Sequence, residues 1–150
     1  MNPMLQKAKD DLEANIPDQY KEDYLRYLVA GLKLINDPKS HERLMIIKNK
    51  NAKNRLVEMV PKGVTNLALV LLEQSRKALS AEGLIFAAMT LTIEILDIAE
   101  REVGATVTKE TLAAITKKLV ENLFALLKVS PQQLQEAIVS GYNEIQGATK

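Results

Sequence analysis

Three groups of residues in this sequence have types and spacings that could do chemistry. The first is His41, in Ser40-His41-Glu42-Arg43. A histidine acting as general acid or base needs a partner to orient it and a nucleophile to serve. Its neighbours supply neither, and no second His follows at metalloprotease spacing. His41 therefore reads as a surface residue. The second group is Glu94 and Asp97, three apart on a strongly apolar stretch and so on one helix face. A buried carboxylate pair could move protons or hold a hard cation. The simpler reading groups them with Glu100, Arg101 and Glu102, where the helix emerges into solvent, and pairs Asp97 with Arg101 one turn on.

The third group is basic. Lys48, Lys50, Lys53, Arg55 and Lys62 fall within fifteen residues, mixed with Asn49, Asn51 and Asn54. Such a patch could contact phosphates, with Asn bonding backbone or bases. Aromatic residues are absent there, so no platform for base stacking is offered. Two other readings stand beside it. The segment is a solvated connector, or it docks on an acidic protein face such as residues 64–107 of a neighbouring copy.

The wider composition narrows the field. With no Cys, disulfide scaffolds, thiol nucleophiles and Cys-ligated metals are excluded. The single His excludes a two-His metal site within the chain. The six Gly never cluster into a phosphate loop, a dinucleotide fingerprint or a nucleophile elbow. No catalytic set, cofactor or metal site is expected. Net charge is +1, but residues 38–63 carry 7 basic and 2 acidic side chains, so a neutral chain contains one basic segment. Apolar residues make up 47% of the 150, which excludes disorder and gives enough length for one well-buried core. Residues 1–13 have no apolar run of signal-peptide type. The longest uncharged stretch, Gly83 to Ile93, is eleven residues, where a spanning helix needs about 20. The expected location is the cytoplasm or a virion.

The elements that must position these residues all read as helix. Met4 to Ala14 forms the first. Pro17 and Asp18 open the second, whose Tyr20, Tyr24, Tyr27, Leu28, Leu32 and Ile35 keep a helical rhythm. Asp37 and Pro38 start a third, running to about Lys48. Lys48 to Asn51 reads as a loop or frayed turn. A short helix over 52–59 is expected to stop at Pro61 and Gly63. Val64 to Leu79 follows. Ser80 caps a helix from Ala81 to Val103, closed by Gly104. That helix is apolar nearly all round from Leu84 to Ile93, which marks it as central. Gly83, Ala87 and Ala88 would let a neighbour approach closely. Thr108 caps Lys109 to Leu127. Ser130-Pro131-Gln132-Gln133 forms a capping box for a last helix to about Gln146. Its face is Leu134, Ala137, Ile138, Gly141, Tyr142 and Ile145. Short connections favour a compact all-α bundle of about six helices in a single domain over 1–150. Its shorter polar helices lie in 1–60 and its apolar core in 64–150.

Two resemblances follow from these residues. Val129, Ser130, Pro131 and Leu134 resemble the turn and second-helix start of bacterial helix-turn-helix domains. Lys128 stands where that family has Gly, and Phe124 where it has a small residue. The stretches around Asp97-Ile98-Ala99-Glu100, Val107 to Leu112 and Val129 to Ile138 look like small helical virion-associated proteins of tailed bacteriophages. That likeness implies a non-enzymatic, multi-copy part of a particle and carries over no functional residue. The expectation is a structural or interaction protein whose partner is itself or another assembly subunit. The alternative is a nucleic-acid binder using Lys48, Lys50, Lys53, Arg55 and Lys62; membrane binding is not expected of the folded chain.

Overall fold

The computed structural model describes residues 1–37, 55–75 and 79–127. Among them are five helices and no strand: α1 (Pro3–Ala14), α2 (Asp18–Asn36), α3 (Leu56–Gln74), α4 (Ala81–Val103) and α5 (Lys109–Leu127). The chain is all-α, as its periodicity requires. The helices expected at 38–48 and 130–146, His41, and the helix-turn-helix-like turn beyond Leu127 lie outside the described residues.

The helix ends follow local chemistry. Asn2 Oδ1 accepts the Met4 amide at 2.8 Å, with Pro3 at the first helical position. Ser80 Oγ accepts the Gly83 amide at 3.1 Å, and Thr108 Oγ1 accepts that of Thr111 at 3.1 Å. Gly104 ends α4 in the left-handed region at φ 69°. Ser80 is extended (φ −66°, ψ 147°), so α3 and α4 are two helices rather than one kinked rod.

One boundary differs from the expectation. No helix stops at Pro61 and Gly63, and none begins at Val64. α3 runs unbroken from Leu56 to Gln74 through both residues. Pro61 lies in the second turn, where it removes only the bond to the Val57 carbonyl, and Val57 is on the exposed end of the helix. Gly63 costs about 1 kcal/mol relative to Ala. Against this, Leu56, Val60, Pro61, Val64, Leu67, Ala68 and Leu71 are all buried. Each large aliphatic side chain contributes about 1.5–3 kcal/mol, so tertiary burial outweighs two local breakers. At the other end α3 finishes at Gln74, earlier than the expected Leu79.

α4 is the hub. From Leu84 to Ala99 every residue except Glu94 is buried. The other four helices pack around it, α2 most extensively. Asp23 of α2 meets Ser80 and Gly83, while Gly31 meets Leu91, so α2 and α4 run in the same direction. Asn2 meets Glu100 and Lys9 meets Glu94, so α1 runs opposite to α4. Thr65 meets Asn122, and Arg55 to Glu58 share a cleft with Thr111 and Lys118, so α3 and α5 start at the same end. The polar groups of the core are matched. Tyr24 Oη bonds Thr90 Oγ1 at 3.0 Å, and the Thr92 hydroxyl donates to the Ala88 carbonyl at 2.8 Å. Burial pushes the Tyr24 phenol up to about 12. No buried side-chain nitrogen or oxygen among the described residues lacks a partner.

Glycine sets how closely α2 crosses α4. A Cβ on Gly83 would stand 2.8 Å from Asp23 Cβ and 3.0 Å from the Tyr24 backbone nitrogen. Backbone cannot step aside as a side-chain tip can. Gly83→Ala is therefore expected to lower stability by about 1–2 kcal/mol, the overpacking cost exceeding the gain from a better helix former. Chemical denaturation measures it. The same crossing carries a cap between helices: Asp23 Oδ2 accepts the Ser80 amide at 2.8 Å. That bond holds the Asp23 carboxyl below its ordinary value of 3.8. A depressed carboxylate stabilises the fold above its unfolded pKa, and that contribution fades as pH falls through the folded value. Asp23→Asn should lower the thermal midpoint at neutral pH. It should also flatten its fall below about pH 4, as read by melts across an acid series.

Candidate functional site

Glu94 and Asp97 are brought together with α1 and the residues just ahead of it. Lys9 Nζ lies 2.7 Å from Glu94 Oε1, an ion pair that raises the Lys9 ammonium above its usual value chiefly through the hydrogen bond. Asp97, 9% exposed, accepts from Arg101 at 3.2 Å and lies 3.8 Å from the Met1 amine. Glu100 accepts from the Asn2 amide at 3.4 Å and from the Val107 backbone at 3.3 Å. The Asp97–Arg101 pair is as expected. The emergence of this face into solvent is not, because α1 covers it. α1 brings the Lys9 cation there, which is why the carboxylates can sit so deep. Among the described residues no three His, Cys, Asp or Glu side chains gather as a metal site. This acidic run is thereby committed within the fold, leaving Glu73 and Glu102 as the exposed acids of residues 64–107 that are described.

Of the basic candidates, Lys48, Lys50 and Lys53 lie outside the described residues. Arg55 and Lys62 are exposed, at the start of α3 and two turns in. Arg55 grips Glu58 with two bonds, Nε at 3.1 Å and Nη2 at 2.7 Å. These bonds, and the charge behind them, hold the Glu58 carboxyl below its usual range, with Lys62 and Lys118 adding to the effect. An open cleft of about 290 Å³ lies here, lined by Arg55, Glu58, Thr106, Thr111 and Lys118 among others. Arg55 is thus paired with a carboxylate of its own chain, while Lys62 and Lys118 act on that carboxylate only through their charge. Lys118 was not among the sequence candidates. It is remote in sequence and arrives only because α3 and α5 start together.

A different surface is plainly unsatisfied. Leu25 and Val29, four apart on α2, are 54% and 52% exposed. The buried side of α2 is Tyr24, Tyr27, Gly31 and Ile35, with Leu28 and Leu32 half-buried between the two sides. Beside them runs a groove of about 220 Å³, lined by Ile16, Tyr24, Leu25 and Leu28 and rimmed by Glu13 and Lys21. At 100° per residue the apolar arc of α2 spans about half its circumference. Packing on α4 uses only part of that.

No family model, curated protein or solved structure matches the chain.

The reading therefore rests on these surfaces. None of the described helices is long and apolar enough to cross a membrane. The sequence reasoning passed over Leu25 and Val29, because it took from α2 only the stripe ending in Ile35. The signal was there: two aliphatic residues at i, i+4 outside that stripe widen the arc beyond what one packed face needs. For the basic end, the Arg55–Glu58 pairing gives a definite expectation. Retention on duplex DNA at moderate salt should stay at background, and Lys62→Glu with Lys118→Glu should leave it there. Retention that the double variant abolishes would transfer the assignment to nucleic acid.

Proposed function

We propose that this chain is a non-enzymatic helical interaction protein, a multi-copy component of a larger assembly, that associates through the outer face of α2. The observation that carries the reading is the aliphatic pair Leu25 and Val29, each more than half exposed and continuous with the groove at Ile16 and Leu28. A contiguous apolar patch of this kind on a rigid, well-anchored helix is characteristic of protein interfaces. The carboxylates of the hub helix support it, since Glu94 pairs with Lys9, Asp97 with Arg101 and the Met1 amine, and Glu100 accepts from Asn2 and the Val107 amide. The likeness of the second half to small virion-associated proteins favours a tailed-bacteriophage particle as the assembly, with the chain working in the cytoplasm or the virion.

A nucleic-acid-binding role through the basic segment is the second reading. It draws on the gathering of Arg55, Lys62 and Lys118 at one end of the bundle. The Arg55–Glu58 pairing favours the first.

Light scattering coupled to size exclusion, over a concentration series, tests the assignment. The native chain is expected to form a species heavier than 16.7 kDa. Leu25→Glu with Val29→Glu should return it to the monomer mass. The variant's helical circular-dichroism signal should persist, so that the lost mass reports lost contact rather than unfolding. A heavy species that survives the double variant would contradict an α2 interface.

A further inference from the structure

Taking the interaction reading as its base, the pattern on α2 names both the partner and the geometry. Asp18, Glu22, Leu25, Val29, Leu32 and Asn36 form one outward stripe with spacings of four and three residues in alternation. That is the spacing of a two-helix seam. The spacing is also symmetric about Tyr27, so it reads the same from either end. Of the six, Leu32 is half-buried and the rest are exposed.

We propose that a second copy of this chain docks on α2 by antiparallel two-fold pairing, with Leu25 of each copy opposite Val29 of the other. A two-fold interface must be self-complementary, and this stripe is. Antiparallel alignment sets Asp18 against the second copy's Asn36, a carboxylate against an amide donor. It seats Glu22 in the hole formed by the second copy's Val29, Leu32, Lys33 and Asn36, which brings opposite charges together at each end. Parallel alignment would put Glu22 against Glu22 and Lys33 against Lys33. Glu22 already pairs with Arg26 of its own copy at 2.8 Å, so at each end one carboxylate stands between that guanidinium and the second copy's Lys33. The two opposed helix dipoles also align favourably. The groove beside the stripe lies on the Leu28 flank, where the two-fold brings the second copy's Leu28 to its mouth. With 19 residues, α2 offers a seam about 28 Å long. Gly31 and Tyr24 pack the opposite side against α4, so the seam is presented on a fixed support.

Because the chain has no Cys, single engineered thiols are clean probes. Leu25→Cys and Val29→Cys variants are mixed in equal amounts and gently oxidised, and the products are identified by mass spectrometry. The mixed 25–29 disulfide should dominate, with a light-scattering mass twice that of the monomer. Glu22→Lys alone and Lys33→Glu alone should each weaken the dimer severalfold, and combining them should restore it. A heavy species lost in Leu25→Glu with Val29→Glu, but cross-linking mainly 25–25 and 29–29, overturns the antiparallel pairing and leaves the α2 interface standing. A monomer at every concentration overturns the pairing. If that monomer also loses thermal stability in the Glu double variant, the face is covered within the chain and the interaction reading falls with it.

Discussion

A helix that is apolar on every side can exist in water only if it is walled on every side, and α4 imposes that demand on the rest of the chain. Fifteen of its residues from Leu84 to Ala99 are buried. α1, α2, α3 and α5 all contact it, each supplying one apolar stripe. The closest wall is α2, whose approach depends on the missing Cβ of Gly83 and on Gly31 beneath Leu91. The demand also explains the tolerance of Pro61. Once α3 is needed as a wall, the burial of Leu56 and Val60 before the proline and Val64 after it holds the helix through it. Local propensity of about 1–3 kcal/mol at two positions yields to a larger sum from packing.

The same constraint decides the fate of the charges on α4. Glu94, Asp97 and Glu100 sit on a helix whose surroundings are nearly dry, where an unpaired carboxylate would be costly. α1 resolves this by running antiparallel and bringing Lys9 and the Asn2 amide to their level. The acidic face that looked available in the sequence is therefore the internal mortar between α1 and α4. A docking scheme that joins the basic 38–63 segment to acidic 64–107 of a neighbouring copy loses three of that segment's six acids, Glu94, Asp97 and Glu100.

Much of this was legible in the sequence, and most of the misses share a cause. The hub at 81–103, its Ser80 and Gly104 ends, the Thr108 cap and the small-residue crossing at Gly83 are local signals, each stated within a few residues. The continuity of α3 through Pro61 and Gly63 depends on what lies beside it, which no window of sequence reports. The covering of Asp97 depends on α1, more than eighty residues away. Lys118 joins Glu58 for a similar reason. At the functional surface the miss was of another kind. Leu25 and Val29 were visible as aliphatic residues, but only the structure says that α4 lies on the far side of α2 and leaves them outside.

That position gives α2 two apolar duties with different chemistry. Toward the core it presents Tyr24, whose hydroxyl bonds Thr90 of α4, Tyr27, whose hydroxyl bonds Ser75 at the end of α3, and Gly31, which fixes the distance to α4. Toward solvent it presents Leu25 and Val29, aliphatic and free of polar atoms, flanked by Glu22, Arg26 and Lys33. The inner side specifies one arrangement through directional bonds. The outer side offers non-directional apolar area with charges at its edges, the composition of an interface core and rim. Leu25 and Val29 keep about half of their surface in water, where polar residues of similar helix propensity would be better solvated. The hub helix thus holds α2 rigidly from behind and leaves its aliphatic outer face toward solvent.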